Sequence, residues 1–261
     1  MRDGAVHAAP LAADELGLRC PSCGASHPTI DDVHLVLRDT DAWLASEAPV
    51  VMARRDLPPA LLQRVAAAAG GPLARDLALA RTYGAGEPCA LRDVISRLAS
   101  ELPRPVLDVG CGRGVLALEG AVGLDLNFSL LRHYPGLRVL GDAADPPFLA
   151  GAFGTVMLLN VLDSCRDPAL VLAQAEALLA PGGTLLTSCA FAWNEGITPA
   201  AARFDADRLR RALDGHEGAL PYRLNLSVQA VYDPVPWRLR LTDRTVHEHA
   251  CQVVVARKAD A

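Results

Sequence analysis

A glycine-rich turn after a short apolar run constrains the fold of this 261-residue chain more than any other feature. Residues 106–114 read Val-Leu-Asp-Val-Gly-Cys-Gly-Arg-Gly. Branched apolar residues before a tight turn are typical of a buried parallel strand. Gly110, Gly112 and Gly114 permit positive φ and let a ligand approach the backbone. We predict a helix after the turn, whose free N–H groups would face an anion.

Alternating strand and helix patterns continue from this turn, and they predict an α/β protein with a parallel sheet. Further strands are expected at 121–126, 137–140, 155–160 and 184–190, and a closing strand is expected at 251–256 at the end of a β-rich tail. Helices are expected at 90–102 and 115–119, from residue 167, and near 205–213.

The run at 106–114 resembles the first motif of the class I S-adenosylmethionine-dependent methyltransferases, and the resemblance covers roughly residues 90–258. It implies a Rossmann-like, open, mostly parallel sheet of about seven strands, with helices on both faces and the last strand antiparallel. It also implies an N-terminal helical lid. We therefore expect an arm with a zinc-ribbon-like remnant at 1–40, a lid and substrate region at 41–104, and an S-adenosylmethionine-binding domain at 105–261.

Polar residues fall at the predicted strand ends, where open α/β sheets bind ligands. By resemblance, Asp125 accepts hydrogen bonds from the ribose hydroxyls and Asp142 accepts from the adenine amino group. Asn160 is expected to border the sulfonium. The predicted cofactor-binding residues are Asp108, Gly110, Cys111, Gly112, Gly114, Asp125, Leu126, Asp142, Ala143 and Asn160. The alternative for a single acid is a helix cap or a solvated turn, and Asp163 fits a cap near residue 164.

Acceptor contacts are expected after the fourth and fifth strands and in the lid. Residues 191–199 resemble the Trp-x-x-x-x-Thr-Pro segment of 4-mercaptohistidine N-methyltransferases and their close relatives. The predicted substrate residues are Trp193, Asn194 and Tyr83. Two interpretations of Trp193 stay open, a pocket wall or a core residue, and Tyr83 fits a lid or simple packing at a helix end.

Cys20, Cys23 and Gly24 form a Cys-x-x-Cys-Gly half-site of the kind that binds zinc. The segment resembles a shortened zinc-ribbon-derived module, but a second cysteine pair is missing, so we predict no metal. His34 alternates with apolar residues and is expected on a strand face. Base candidates are His133, His216, His247 and His249. No catalytic residue is assigned, because methyl transfer from a sulfonium needs no acid and only sometimes a base.

The composition of the chain narrows the classes of partner and the cellular location that we expect. A net charge of -5 argues against an extended nucleic-acid surface or an anionic membrane partner. Seven cysteines without a disulfide spacing, no signal peptide and no long apolar run favour the cytoplasm. The sequence therefore predicts a cytoplasmic methyltransferase that modifies N, O or S of a small-molecule or peptide acceptor. The alternatives are a nicotinamide-dependent oxidoreductase and an inactive methyltransferase-like scaffold.

Overall fold

A mixed sheet forms the body of the computed structural model, which describes residues 9–14, 17–40, 42–43, 89–114, 116–242 and 244–260. Its eleven strands within these ranges are β1 (Ala12–Ala13), β2 (Gly17–Arg19), β3 (Ser26–Ile30), β4 (Val33–Leu35), β5 (Val106–Val109), β6 (Val122–Asp125), β7 (Leu137–Leu140), β8 (Phe153–Leu159), β9 (Leu179–Cys189), β10 (Leu226–Thr242) and β11 (Thr245–Lys258). The α-helices of the same ranges are α1 (Ala90–Ala99), α2 (Phe128–Leu131), α3 (Pro168–Leu178) and α4 (Ala206–Leu213). The strands lie in the order β1-β2-β3-β4-β7-β6-β5-β8-β9-β11-β10.

The centre of the sheet is parallel, as the sequence predicts. β5 lies in the middle, with β6 and then β7 on one side and β8 and then β9 on the other. The chain therefore changes its direction across the sheet after β7, and the carboxyl ends of β5 and β8 flank the switch point. β11 runs antiparallel to β9, which confirms the predicted closing strand. The Rossmann-like fold class is confirmed.

Helices cover both faces of the sheet, because successive side chains of a strand point to opposite sides. Val106 of β5 belongs to a core that includes Leu91 and Ile95 of α1. Its neighbour Leu107 belongs to the opposite core, with Leu172 of α3. A strand buried on both faces is expected to be mostly apolar, and this explains Val106, Leu107 and Val109; the exception in β5 is the buried Asp108.

The sheet has more strands than the predicted seven, because the segment expected to hold the arm and the zinc-ribbon-like remnant forms strands β1 to β4. β4 pairs with β7 in parallel and extends the sheet at that edge. Val33 and Leu35 are fully buried in a core with Leu140. His34 lies between them on the other face and forms a 2.8 Å hydrogen bond with the hydroxyl of Thr29. The strand-face interpretation of His34 is thus confirmed.

The helix predicted at 115–119 is wrong for the described residues, which form separate turns on both sides of residue 115. The Gly114 N–H donates to the carbonyl of Cys111, and the Ala117 N–H donates to the carbonyl of Gly114. Gly114 and Gly120 both adopt positive φ. A left-handed backbone position interrupts a right-handed helix, so these two glycines limit the segment on both sides. The expected helix N-terminus facing an anion is therefore not part of the described site.

The helix predicted at 90–102 is confirmed as α1. The rest of the predicted lid and substrate region, residues 44–88 with Tyr83, lies outside the described residues, so the lid remains a prediction. None of the helices in the described ranges is both long and apolar enough to cross a membrane.

The β-rich tail forms a long hairpin of β10 and β11. The two strands pair from Leu226 and Lys258 to Thr242 and Thr245. β11 pairs with β9 only over residues 252–257. The rest of the hairpin extends past the end of β9 and carries Trp237 to the cavity described below.

Candidate cofactor and acceptor site

A cavity of about 1100 Å³, here called the main cavity, opens at the carboxyl ends of β5, β6, β7 and β8. The predicted residues that line it are Asp108, Gly110, Cys111, Gly112, Asp125, Leu126, Asp142, Ala143, Asn160 and Asn194. Gly114 and Trp193 do not line it, and Tyr83 lies outside the described residues. The structure thus brings the ends of four separate strands to one space.

The glycines of the turn have different roles. Gly110 adopts a φ of 66°, and a Cβ there would lie 2.2 Å from Cγ2 of Val161. A Cβ on Gly114 would lie 2.6 Å from Pro135. These two glycines are therefore required by the packing of the protein itself. Gly112 also has positive φ, but its nearest neighbour would be Leu130 at 3.9 Å, so its backbone is open to the main cavity.

Asp125 ties the glycine turn to the end of β6. Its Oδ2 accepts the Gly112 N–H at 2.8 Å, and its Oδ1 accepts the Asn127 N–H at 2.7 Å. Burial raises the pKa of this carboxyl, and the backbone N–H groups of Gly112, Leu126 and Asn127 oppose the rise. Each carboxylate oxygen has a second lone pair, so Asp125 keeps the capacity to accept two ligand hydroxyls.

Asp108 is buried at the end of β5 beneath the same turn. Burial, together with the nearby charge of Asp125, raises the pKa of Asp108 to about 7, and Tyr134 opposes the rise. The Tyr134 hydroxyl lies beside Asp108 but outside ordinary hydrogen-bond geometry. The Tyr134 ring occupies the space that a Cβ on Gly123 would need, at 2.8 Å. Sequence reasoning missed Tyr134, because no local pattern marks it.

Asp142 follows β7 and is exposed at the cavity. Its Oδ1 accepts the backbone N–H of Ala144 at 2.8 Å, which fixes the turn after the strand. Ala143 lies between them and is half-buried, while Leu126, after β6, is exposed. An exposed carboxylate next to apolar side chains suits a flat ring that carries a donor.

Asn160 follows β8 and adopts a left-handed φ of 53°. Its Oδ1 accepts from the Ser188 hydroxyl at 2.9 Å and from the Cys251 thiol at 3.4 Å. These donors fix which way the amide points. Its Nδ2 is buried and has no hydrogen-bond partner among the described residues. A buried, oriented donor without a partner is costly, and a ligand in the main cavity would satisfy it.

Trp193 packs against the protein and also lines a separate space. Its ring meets Phe204 edge to face, with centroids 5.2 Å apart. The space is an open groove of about 480 Å³, here called the side groove, lined by Phe191, Trp193, Arg203, Phe204, Asp205, Ala206 and Arg208. Phe204 and Arg208 also line the main cavity, so the two spaces are neighbours.

The loop that carries Asn194 is held by Asp163. The Ala192 N–H donates to Asp163 Oδ2 at 3.2 Å, and the Asn194 N–H donates to the Asp163 carbonyl at 2.9 Å. Burial raises the pKa of Asp163 to about 6. Asp163 does not cap a helix; it lies inside a short 3-10 turn, Leu162–Ser164. The capping interpretation is therefore wrong, and Asp163 instead positions the loop that carries Asn194.

Comparison with known proteins finds a matching family model. A family model described as "Methyltransferase domain" matches residues 83–210. This range includes the glycine turn, Asp125, Asp142 and Asn160. Residues 83–210, a little under half of the chain, therefore resemble a methyltransferase domain.

Curated relatives match only part of this chain. The ubiquinone biosynthesis O-methyltransferase of Chromobacterium violaceum is 35% identical over 115 residues, which are 37% of this chain and 48% of that protein. The tRNA U34 carboxymethyltransferase of Saccharophagus degradans is 33% identical over 111 residues, 36% of this chain and 34% of that protein. The chain thus spans at most about half the length of these curated relatives. A SAM-dependent methyltransferase structure from Methanosarcina mazei covers 60% of this chain and 92% of its own, with 19% identity and a TM-score of 0.39.

Several residues of the candidate site were missed by sequence reasoning. These residues belong to distant elements and also line the main cavity: Trp43, Arg92, Asn127, Arg166, Arg208, Trp237 and Leu239. Asn127 also caps α2, where its Oδ1 accepts the Leu130 N–H at 3.0 Å. Only this capping pattern was detectable locally; the others depend on how α1, α4 and the hairpin pack.

Neither a base nor a metal site emerges from the described residues. No histidine is among the described residues that line the main cavity. Cys20 and Cys23 lie on the tight turn after β2, where the Gly24 N–H donates to the Cys20 carbonyl at 2.9 Å. No group of three or more potential metal ligands occurs in the described part of the chain. The prediction of a metal-free chain remains untested.

Proposed function

We propose that this chain is an S-adenosylmethionine-dependent methyltransferase that acts on an N, O or S atom of a small-molecule or peptide acceptor. The observation that carries the proposal is the carboxylate of Asp125, which is anchored by the Gly112 and Asn127 N–H groups and faces the main cavity. It joins the glycine turn to a strand end in one rigid acceptor of hydroxyl groups.

The residues fit this cofactor from end to end. Asp125 would accept from both ribose hydroxyls, and Asp142 from the adenine amino group. The open backbone at Gly112 leaves room for the methionine portion. Asn160 would place its unsatisfied Nδ2 beside the reacting end. The main cavity, at about 1100 Å³, exceeds the roughly 300–1,000 Å³ usual for one small ligand, so an acceptor fits as well.

When bound, the cofactor would supply a methyl group on a sulfonium, with a neutral thioether as leaving group. The protein then has to align the acceptor in line with the methyl and exclude water. We assign the alignment to Asn160 and to the loop held by Asp163. No general acid is needed, so the absence of histidine from the described cavity lining is compatible with turnover.

The curated relatives do not select an acceptor class, because one is named for ubiquinone biosynthesis and the other for tRNA U34. The charge of the chain does favour a small acceptor. The net charge of -5 disfavours an extended polyanion.

Calorimetry with S-adenosylhomocysteine, with NADH as control, tests the cofactor. Binding of the first and not the second is expected, and the reverse would favour the oxidoreductase alternative. Turnover with S-adenosylmethionine and a panel of N, O and S acceptors then separates an enzyme from a scaffold. Tight cofactor binding without product from any acceptor class would favour the scaffold.

A further inference from the structure

Arg208 lies at the boundary between the main cavity and the side groove. It belongs to α4 and is half-buried. Its Nε donates to the Ala219 carbonyl at 2.7 Å, and its Nη1 donates to the Arg203 carbonyl at 3.3 Å. Two carbonyls thus hold the guanidinium in one orientation. Arginine has five donor hydrogens in a planar fork, so donors remain for another partner.

No carboxylate within the described residues pairs with Arg208, whereas neighbouring arginines are paired. Arg203 lies 3.8 Å from Glu195, and Arg210 lies 2.8 Å from Asp207. Asp205 also lines the side groove, but its Oδ1 accepts the backbone N–H of Arg208 at the start of α4. A half-buried charge without a counter-charge is unfavourable. The energetic cost makes a bound anion the simplest reason for this arrangement.

A second cation lies on the same side of the main cavity. Arg166 follows the 3-10 turn after β8, is exposed, and has no hydrogen bond or ion pair with the described residues. The acids that would hold the cofactor, Asp125 and Asp142, follow β6 and β7 on the other side of the switch point. Arg166 and Arg208 are therefore available to the acceptor.

The side groove supplies the apolar part of a binding site. Phe191, Trp193 and Phe204 all line it, directly beside Arg208. Aromatic rings next to a guanidinium bind flat ligands that carry an anionic group.

We propose that the acceptor carries an anionic oxygen group, a carboxylate or a phosphate, bound by Arg208 with Arg166 nearby, and an apolar planar body seated in the side groove. This inference rests on the proposed function, because it assumes that the other half of the main cavity holds the cofactor. It narrows the acceptor from any small molecule or peptide to an aromatic or similarly flat anion.

The test uses three probes of one shape, benzoate, phenylphosphate and the neutral benzamide, titrated into the full chain saturated with S-adenosylhomocysteine. Ligand-observed NMR measures weak dissociation constants. At least one anion is expected to bind tenfold or more tightly than benzamide, and the stronger of the two shows whether a carboxylate or a phosphate is preferred. Equal binding of all three, or no binding of either anion, would overturn the inference.

Substitutions test which arginine causes the preference for an anionic probe over benzamide. Arg208→Gln is expected to remove most of the preference for the anion while the S-adenosylhomocysteine dissociation constant stays within about threefold. Arg210→Gln, on the same helix but outside both spaces, is the matched control and should keep the preference. Arg166→Gln changes an exposed side chain and should reduce the preference by about threefold, which keeps the test valid if Arg208→Gln fails to fold.

The failures are distinguishable. If the unmodified chain does not bind S-adenosylhomocysteine, the proposed function fails before any probe is added. If Arg208→Gln melts normally but loses S-adenosylhomocysteine affinity, Arg208 holds the cofactor instead, and the inference is wrong while the proposed function stands.

Discussion

The two halves of the main cavity are built differently. On the proposed cofactor side are three strands of four residues each, β5, β6 and β7. An aspartate lies at or next to the last residue of β5 and β6, and Asp142 comes two residues after β7. Asp125 and Asp142 accept hydrogen bonds from backbone N–H groups. On the proposed acceptor side, β9 leads into a loop and then into α4, whose arginines and aromatic rings line the side groove. Backbone geometry thus fixes the proposed cofactor half, whereas side chains shape the proposed acceptor half and can change without altering the fold.

The largest effect is expected for Asp125→Ala, which removes an anchor as well as a ligand contact. S-adenosylhomocysteine binding should weaken by about 2–3 kcal/mol, the scale of hydrogen bonds to a charged group. Calorimetry measures the change. Asp145→Ala is the matched control, because Asp145 is an acid near the same edge that pairs with Arg38 at 2.8 Å and does not line the cavity. An unchanged dissociation constant in folded Asp125→Ala would remove Asp125 from the cofactor half.

Trp193→Ala probes the acceptor half. We expect cofactor affinity within about threefold of the original and a catalytic efficiency lower by about tenfold, or about 1.4 kcal/mol, with the best acceptor of the turnover panel. The reason is that Trp193 lines the side groove and not the main cavity. A thermal melt run in parallel separates binding from packing against Phe204. A large fall in melting temperature with normal activity per folded molecule would show that Trp193 is only a core residue.

The pH dependence of stability probes Asp108. Because its pKa is raised to about 7 by burial, the folded state keeps its proton longer than the unfolded state does. Below about pH 4, Asp108 is protonated in both states and does not lower the free energy of unfolding. As the pH rises to about 7, the unfolded state loses this proton first, so the free energy of unfolding falls. Asp108→Asn removes this loss, so relative to the original chain its melting temperature should improve by several degrees between pH 5 and pH 8. If the difference in melting temperature between Asp108→Asn and the original chain stays constant from pH 5 to pH 8, Asp108 does not bury a charge.

The smallest effect is expected for Asp142→Ala. This carboxylate is exposed, and water competes for its hydrogen bonds, so cofactor affinity should fall only about threefold to tenfold, roughly 1 kcal/mol. Calorimetry beside Asp125→Ala gives the ratio. If both variants lose the same amount of affinity for S-adenosylhomocysteine, the anchored carboxylate of Asp125 has no special role. The contrast between an anchored and an exposed carboxylate would then be wrong.

The residues at the ends of β5, β6 and β7 that line the main cavity were predictable because their signals are local. Asp108, Asp125 and Asp142 each stand at or after the end of a short apolar run, and the topology of a parallel sheet brings such ends together. The glycine turn was also readable, since all three of its glycines adopt positive φ.

The other residues of the main cavity could not be predicted from the sequence, because their positions depend on packing between distant segments. Arg208, Trp43 and Trp237 reach the cavity from a helix, the N-terminal region and the hairpin. The helix expected at 115–119 is wrong because glycines with a left-handed backbone limit the segment on both sides. Strands β1 to β3 were missed because they are short, from two to five residues. The run that forms β4 was expected to lie on a strand, because His34 alternates with apolar residues.

The parallel pairing of β4 with β7 has a consequence for biosynthesis. Arg138 donates to the carbonyl of Asp31, 107 residues earlier in the chain. The N-terminal strands leave the ribosome first, yet the edge on which β4 docks is made only later. Contacts this far apart in sequence close slowly. At a synthesis rate of roughly 5–20 residues per second, the N-terminal strands wait for several seconds, and during that time a chaperone or another nascent chain can bind their unpaired edge.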